Sequence, residues 1–293
     1  MIAVDWGTSN LRAFRLDGGG AVIDRRESAE GITQVADGAF AATLRAVVGP
    51  WLADGETRVL MCGMIGSRQG WVEAPYLPCP ADPAALAGAL VTVPFDGAQV
   101  RLMPGLSARD ADGTPEVMRG EETKLLALMQ HVGGDGVVCL PGTHTKWVRL
   151  EGGRIAGFAT CMSGEAFGAL RDGTILGRMM RHEGAVDLGG FDRGVARSGE
   201  AGHLLHHLFG VRTLGLFGEL DEAESAGYLS GMLIGHEARA MAPRGGVVHL
   251  AGDEKLTALY ARAIGAAGAE VAMLDEDVAA QGLAIIGRAA GWL

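Results

Sequence analysis

The stretch Val4-Asp5-Trp6-Gly7-Thr8-Ser9-Asn10-Leu11-Arg12 decides the fold, because it predicts a strand, a glycine turn with hydroxyl side chains and a returning strand. The backbone amides and hydroxyls of such a turn can hold phosphate oxygens, and Asp5 can hold hydrated Mg²⁺ beside them. An ordinary hairpin turn, in which Gly7 only supplies backbone freedom, explains this stretch equally well when it is taken alone.

A second stretch, Leu140-Pro141-Gly142-Thr143-His144-Thr145-Lys146-Trp147-Val148, repeats this form. Lys146 is one of only three lysines among the 25 basic residues of the chain. Two such hairpins indicate a polyphosphate site, whereas one alone would be a polar turn with solvated side chains. The candidate contacts to a nucleotide are Gly7, Thr8, Ser9, Asn10, Gly142, Thr143, His144 and Thr145.

A third turn follows the apolar strand at 247–250, where Gly252 precedes a helix and allows close approach of a phosphate or a planar ligand. This signal is weak by itself. Gly252 is nevertheless a further candidate for nucleotide contact, because it comes after two phosphate-type hairpins.

The remaining chain divides at the glycine-rich segment 133–136, and both halves open with the same strand, turn and strand, which suggests internal duplication. We expect one domain over 1–132 and another over 133–276, with the final helix returning to the first. Strands are predicted at 2–4, 11–16, 21–27, 58–62, 91–93, 100–103, 137–140, 146–150, 154–160, 247–250 and 270–274. Helices are predicted at 40–52, 81–90, 121–131, 165–182, 193–208, 219–241, 254–267 and 277–290.

Composition narrows the class of partner. The 293 residues, 48% of them hydrophobic, suffice for two cores of about 150 residues each. A formal charge of −10 argues against nucleic acid and membrane surfaces and favours a small-molecule ligand. Four scattered cysteines without a CxxC pair predict reduced, mostly buried thiols, and the absence of a signal segment or long apolar run predicts a cytoplasmic protein.

The three turns, in this order, resemble the ASKHA superfamily of sugar kinases, actin and heat-shock ATPases. Segments 5–12, 118–123 and 141–147 further resemble the 2-dehydro-3-deoxygalactonokinase family, and the similarity extends over essentially the whole chain. The resemblance implies an α/β protein with two actin-like (ribonuclease H-like) domains, each a mixed five-stranded sheet flanked by helices, and an ATP cleft between them. It also implies ATP- and Mg²⁺-dependent phosphorylation of O6 of 2-dehydro-3-deoxy-D-galactonate by a monomer or homodimer.

Phosphoryl transfer needs charge neutralisation and a base for the acceptor hydroxyl. Asp5 is the predicted metal-side carboxylate, and Lys146 and Arg12 are the candidate positive charges. Glu121 and Glu122 begin a predicted helix at a position that resembles the segment where hexokinase-like members carry their catalytic aspartate, and the resemblance makes either a candidate base. Acids in a first helical turn also complement the helix dipole, so a purely structural role is the alternative. Glu165, after Ser163-Gly164, ranks below them as a base and is also a candidate for substrate contact.

The substrate carboxylate requires a planar donor, for which arginine suits better than lysine. Arg12, Arg68, Arg119 and Arg171 remain open choices, with Ser67 in the loop beside Arg68. Two other patterns have structural explanations. Glycines four residues apart at 227, 231 and 235 favour close helix packing over contact with adenine, and the histidines at 203, 206 and 207 fit an amphipathic helix.

Three alternatives compete with this hypothesis. A kinase of the same fold with another substrate, such as 2-keto-3-deoxygluconate, differs only in a few loop residues. A non-catalytic ATP switch is disfavoured by the short chain. A Rossmann oxidoreductase is remote, because no GxGxxG follows the first strand, which returns directly as a hairpin.

Overall fold

The computed structural model describes residues 1–36, 38–274 and 278–293, which form two compact units. The first unit contains residues 1–135 and 149–158 and the described C-terminal residues from 278 onward. The second contains 136–148 and 159–274. The predicted boundary between the two domains, at 132–133, stays a prediction. The predicted end of the second domain, at 276, lies outside the described residues.

A six-stranded mixed sheet organises the first unit. The strands are β1 (Ile2–Trp6), β2 (Leu11–Leu16), β3 (Val22–Ser28), β4 (Arg58–Cys62), β6 (Val91–Val93) and β7 (Gln99–Leu102). Their order in the sheet is β3-β2-β1-β4-β7-β6. Strand β1 pairs antiparallel with β2 and parallel with β4, and β4 pairs parallel with β7. The sheet was expected to have five strands, and the additional one is the short antiparallel edge strand β6.

Helices cover this sheet because alternate strand positions are apolar and must be buried. Side chains such as Trp6, Leu44 and Trp51 are almost completely buried in the shared core. The helices of the unit are α1 (Phe40–Ala53), α2 (Pro83–Gly88), α3 (Glu121–Val132) and α9 (Ala279–Ala289). The first residue predicted for α9, Asp277, lies outside the described residues.

A small sheet in the first unit has no counterpart among the predictions. It contains β5 (Tyr76–Pro78), β8 (Gly105–Arg109) and β9 (Pro115–Met118) in the order β5-β8-β9. These strands are three to five residues long and contain prolines and polar residues, so their sequences lack the apolar alternation that marks a strand.

The second unit is built on a five-stranded sheet. Its strands are β10 (Gly136–Leu140), β11 (Thr145–Glu151), β12 (Arg154–Cys161), β13 (Val247–Leu250) and β14 (Glu270–Met273). Their order in the sheet is β12-β11-β10-β13-β14. β10 pairs parallel with β13, as β1 does with β4, and both sheets place their first strand between the second and fourth. This shared order confirms the predicted actin-like α/β architecture and supports internal duplication.

The helices of the second unit include the largest sequence-based error. They are α4 (Ser163–Gly173), α5 (Leu188–Ser198), α6 (Leu204–Leu216), α7 (Glu222–Met241) and α8 (Glu254–Ala266), with a 3-10 helix at Ile175–Met179. The single helix predicted over 193–208 is wrong, because the chain breaks after α5 and Gly202 adopts a φ of +130°. The helix predicted at 165–182 likewise ends at 173, and α7 starts at a capping box on Asp221.

The prediction of close helix packing by the spaced glycines is confirmed. Helices α5 and α7 pack together along Gly227, Gly231 and Gly235, and a Cβ added at Gly231 would lie 2.0 Å from the carbonyl oxygen of Phe191. The four cysteines are free, as predicted, but only Cys62 and Cys139 are buried, and Cys79 and Cys161 are partly exposed. Within the described residues, no helix combines the length and the apolar character needed to cross a membrane.

Candidate active site

In the hairpin of β1 and β2, the pairing of the strands brings Asp5 and Arg12 together. Asp5 and Arg12 are opposite one another in the ladder, and an Arg12 guanidinium nitrogen lies 2.5 Å from Asp5 Oδ2. The other oxygen of Asp5 lies 3.9 Å from the buried sulfur of Cys62. Gly7 N donates to Asn10 O at 2.9 Å, which closes the turn and leaves Thr8, Ser9 and Asn10 exposed. The structure therefore pairs Asp5 with Arg12 and exposes the three polar residues of the turn between their strands.

The two acids at the start of α3 have different environments. Gly120, with φ of +106°, directs the chain into the helix. Glu122 is fully buried and accepts a hydrogen bond from Gly120 N at 2.6 Å, and burial together with the nearby charge of Glu121 raises its pKa to about 8. Glu121 accepts from Arg119 N at 3.1 Å and stays partly exposed. Of the two candidates, only Glu121 has surface available to a ligand.

Arg119 is a partly buried cation, two of whose donor atoms are buried and unused by the described residues. One guanidinium nitrogen, Nη2, donates to Ala74 O at 2.7 Å, and the guanidinium lies 4.5 Å above the ring of Tyr76. Its Nε and Nη1, together with Ser67 Oγ, are buried without a hydrogen-bond partner among the described residues. Gly66 borders this group, because a Cβ there would lie 2.9 Å from Nη1. Unsatisfied buried donors cost about 1–3 kcal/mol each, so this group fits an anionic ligand.

The other arginine candidates are engaged at the surface or with acids. Arg68 is 85% exposed and faces Glu73 at 3.5 Å, whereas Arg171 pairs with the adjacent Asp172 at 2.8 Å. Arg12 is held by Asp5. Among the open choices, Arg119 alone combines burial with donors that no described residue uses.

The second hairpin has a compact turn in the other unit. Glu165 N donates to Thr143 O at 3.0 Å, and a Cβ at Gly164 would lie 2.5 Å from Gly142 O, so the start of α4 packs directly on this turn. His144 Nε2 contacts the carboxylate of Glu165 at the surface. Glu165 thus contacts the nucleotide candidates of the second hairpin, whereas Ser67 and Arg119 belong to the first unit.

Lys146 and Gly252 have well-defined positions in the same unit. Lys146 is almost fully buried, and its Nζ donates to Thr160 Oγ1 on β12 at 3.0 Å. Gly252 lies beside Pro141, since a Cβ there would lie 3.4 Å from the Pro141 carbonyl oxygen. The third predicted turn is therefore adjacent to the second hairpin.

A cavity of about 170 Å³ opens beside the second hairpin, and of its lining residues only Gly142 was a predicted nucleotide contact. Apolar side chains from α4, α7 and α8 form most of the surface, which suits a flat organic ring. The lining residues are Gly142, Ser163, Gly164, Phe167, Val186, Ser230, Leu233, Ile234, Leu256, Leu259 and Tyr260. Segments 229–235 and 256–257, which carry part of the family resemblance, were the available signal.

A buried carboxylate behind this cavity was also missed. Glu237 Oε1 accepts from Trp147 Nε1 at 2.7 Å, while Oε2 accepts from Ser163 Oγ and from Tyr260 OH at 3.1 Å. Burial raises the pKa of Glu237, and the three donors oppose that rise. Glu237 is an acid on a face of α7 that otherwise carries apolar and small side chains, and this pattern was the available signal for a buried carboxylate.

The fold and the duplicated hairpins define an actin-like phosphotransferase class. A family model described as 2-keto-3-deoxy-galactonokinase matches residues 5–286. A probable 2-dehydro-3-deoxygalactonokinase, DgoK1 of Rhizobium meliloti (strain 1021), is 40% identical over 98% of this chain and 96% of its own length. The 2-dehydro-3-deoxygalactonokinase of Escherichia coli (strain K12) is 35% identical over 96% of this chain and 94% of its own.

A solved structure agrees with these relatives. It is the crystal structure of a Sinorhizobium meliloti protein assigned provisionally as a 2-dehydro-3-deoxygalactonokinase, with a TM-score of 0.88 and 38% identity. The match covers 99% of this chain and 97% of that one. The chain belongs to the 2-keto-3-deoxy-galactonokinase family.

Proposed function

We infer that this protein transfers the γ-phosphoryl group of ATP to O6 of 2-dehydro-3-deoxy-D-galactonate, in the cytoplasm. Membership of the family over residues 5–286 carries this conclusion. The duplicated hairpins supply groups suited to phosphate, and the apolar cavity suits the adenine ring. The unused donors of Arg119 suit the sugar acid.

We propose that the second unit binds the nucleotide. The cavity beside Gly142 has apolar walls on which a purine ring can pack, and Gly164 and Gly252 keep side chains away from the turn. The exposed backbone amides of Thr143 and His144, together with the Thr143 hydroxyl, would contact phosphate oxygens.

Mg²⁺ is the metal we propose, with Asp5 as its protein-side carboxylate acting through water. The described residues hold no cluster of three or more His, Cys, Asp or Glu groups suited to a metal. This donor set fits Mg²⁺ brought with ATP, because that ion keeps several waters and binds through one or two carboxylates plus phosphate oxygens. When bound, the ion would neutralise phosphate charge.

The sugar acid is the ligand we propose for Arg119 and Ser67. A carboxylate accepts charge-assisted hydrogen bonds from a guanidinium, and Nε and Nη1 of Arg119 are two donors, on different edges of the group, without partners among the described residues. Ser67 Oγ is a third donor one residue beyond Gly66. An anionic carboxylate is thus matched by a cation with unused donors, which favours an acid substrate over a neutral sugar.

Glu121 is the base in this proposal. It would accept the proton of the O6 hydroxyl while O6 forms the bond to the γ-phosphorus and the bond from that phosphorus to the bridging oxygen breaks, so that ADP leaves with the electron pair. Glu122, whose burial keeps it from a ligand, would hold the start of α3 in place through Gly120 N.

A coupled ADP-release assay tests the function. We expect Mg²⁺-dependent ADP release with 2-dehydro-3-deoxy-D-galactonate, and less with the gluconate epimer or with galactose, which lacks the carboxylate. Mass spectrometry of the product should show one phosphoryl group on the acid. ADP release with a neutral sugar and none with either acid would contradict the proposal.

A further inference from the structure

The buried carboxylate of Glu237 joins three elements of the second unit. Trp147 reaches it from β11, Ser163 from α4 and Tyr260 from α8, and Glu237 itself lies on α7 with 6% of its surface exposed. Buried charged groups are rare unless their hydrogen bonds are satisfied. Here the three donors occupy both oxygens, so the carboxylate is well accommodated.

The network extends from Glu237 to the turn of the second hairpin. Tyr260 OH lies 2.7 Å from Thr145 Oγ1, and Gly142 N lies 3.4 Å from the same Thr145 oxygen. A carboxylate can only accept, so Tyr260 must donate to Glu237 and accept from Thr145. The Thr145 oxygen is then left as the acceptor for Gly142 N. An ionised Glu237 therefore fixes the direction of every hydrogen bond in this chain.

Two members of the network also form the wall of the cavity. Ser163 and Tyr260 line it together with Gly142, while Glu237 lies behind them and does not. We infer that Glu237 is a positioning residue for nucleotide binding, which holds the cavity wall and the phosphate turn in one fixed arrangement. This inference rests on the proposed function, because it takes the cavity as the site of the nucleoside.

A glutamine at position 237 cannot replace the carboxylate. Its amide has one acceptor oxygen and one NH₂ group, whereas Trp147, Ser163 and Tyr260 all donate to the present side chain. If the amide oxygen faces Trp147, the amide NH₂ faces the hydroxyls of Ser163 and Tyr260. Because NH₂ only donates, the hydrogen atoms of both hydroxyls must then point away from residue 237. Hydrogen-bond direction is lost as far as Thr145, although side-chain shape is preserved.

The experiment measures ADP and ATP binding by isothermal titration calorimetry, with no sugar acid present. We expect Glu237→Gln and Tyr260→Phe to weaken nucleotide binding about tenfold, the effect of about one well-placed hydrogen bond. Tyr228→Phe is the matched control, because Tyr228 is a buried tyrosine on α7 that does not line the cavity. We expect its affinity to stay within twofold of the unchanged protein.

A purely structural role predicts a different pattern. Glu237→Gln and Tyr260→Phe would then lower the unfolding temperature and leave nucleotide affinity unchanged, and that result would overturn the inference. Because Tyr260 also lines the cavity, Trp147→Phe is the second variant if Glu237→Gln does not fold: it removes a donor to Glu237 from outside the cavity and should weaken nucleotide binding likewise. Absence of nucleotide binding by the unchanged protein would instead refute the proposed function, which separates the two failures.

Discussion

At the residue scale, the difference between Glu121 and Glu122 illustrates how neighbouring acids acquire different chemistry. The helix turn points Glu122 into the protein beside Cys62, and the thiol pKa is raised by burial first and then by the charges of Asp5 and Glu122. Glu121 stays at the surface of the same turn. Glu121 therefore offers surface that a substrate hydroxyl can approach, whereas both oxygens of Glu122 are enclosed by protein.

We therefore expect Glu121→Gln to lower kcat by about 10²-fold or more with nucleotide affinity retained, because a general base contributes about 10²–10⁴-fold. Glu122→Gln replaces a carboxyl that is largely protonated at neutral pH by an uncharged group of the same shape. Its kcat should stay within about tenfold of the unchanged enzyme. Steady-state kinetics with a coupled assay measures both, and the reverse order of effects would assign the base to Glu122.

Arg119 gives a second prediction at this scale. Arg119→Lys should raise KM for the sugar acid at least tenfold and leave KM for ATP within twofold, because a single lysine ammonium cannot replace the separate donors Nε and Nη1 of the guanidinium. Arg68→Lys is the matched comparison, since Arg68 is an exposed arginine in the neighbouring loop. A larger effect at Arg68 than at Arg119 would move the carboxylate site to the surface loop.

At the scale of elements, the contact between α5 and α7 depends on glycines from both helices. A Cβ at Gly194 would lie 2.1 Å from Tyr228 O, and one at Gly227 would lie 2.3 Å from Asp187 O. The two backbones are thus close enough that no side chain fits between them. Because α7 carries Glu237 and three residues of the cavity wall, this packing also positions the proposed nucleotide site.

Gly231→Ala should destabilise the protein by about 1–3 kcal/mol or more, since the added methyl must displace the backbone at Phe191. Gly265→Ala in α8 is the control, because no atom lies within 4 Å of a Cβ built there. It should be neutral or stabilise by up to about 1 kcal/mol through helix propensity. Urea unfolding of both variants gives the comparison, and equal stabilities would contradict the close packing of α5 and α7.

At the scale of the whole molecule, the raised pKa of Glu122 makes stability depend on pH. Between about pH 4.5 and 8 the folded protein keeps a proton on Glu122 that the unfolded chain releases. The folded state then binds more protons, so this group lowers the free energy of unfolding as pH rises, by up to about 1.4 kcal/mol per pH unit. The loss should level off above pH 8.

Glu122→Gln removes this proton and should flatten the dependence on pH over that window. Urea unfolding at pH 5, 6, 7 and 8 measures the free energy for both proteins, and the difference between their slopes isolates residue 122 from other titrating groups. Parallel curves would show that Glu122 is ionised normally in the folded protein.

The sequence by itself determined the elements and the duplicated hairpins. Strand and helix periods are local properties, so β2, β4, β6 and β13 begin and end where the apolar pattern predicts. The turns at 7–10 and 141–144 were found for the same reason. Local patterns failed where a break had weak signals, as between α5 and α6, or where strands were short, as in β5, β8 and β9.

Only the tertiary structure decided which side chains are buried and what they meet. Arg119 contacts the carbonyl of Ala74, Trp147 and Tyr260 reach Glu237, and Tyr260 also reaches Thr145, across separations of 45, 90, 23 and 115 residues. Periodicity over a few residues carries no information about such pairs. The distinction between Glu121 and Glu122, the unused donors of Arg119 and the network of Glu237 all depend on packing between distant segments.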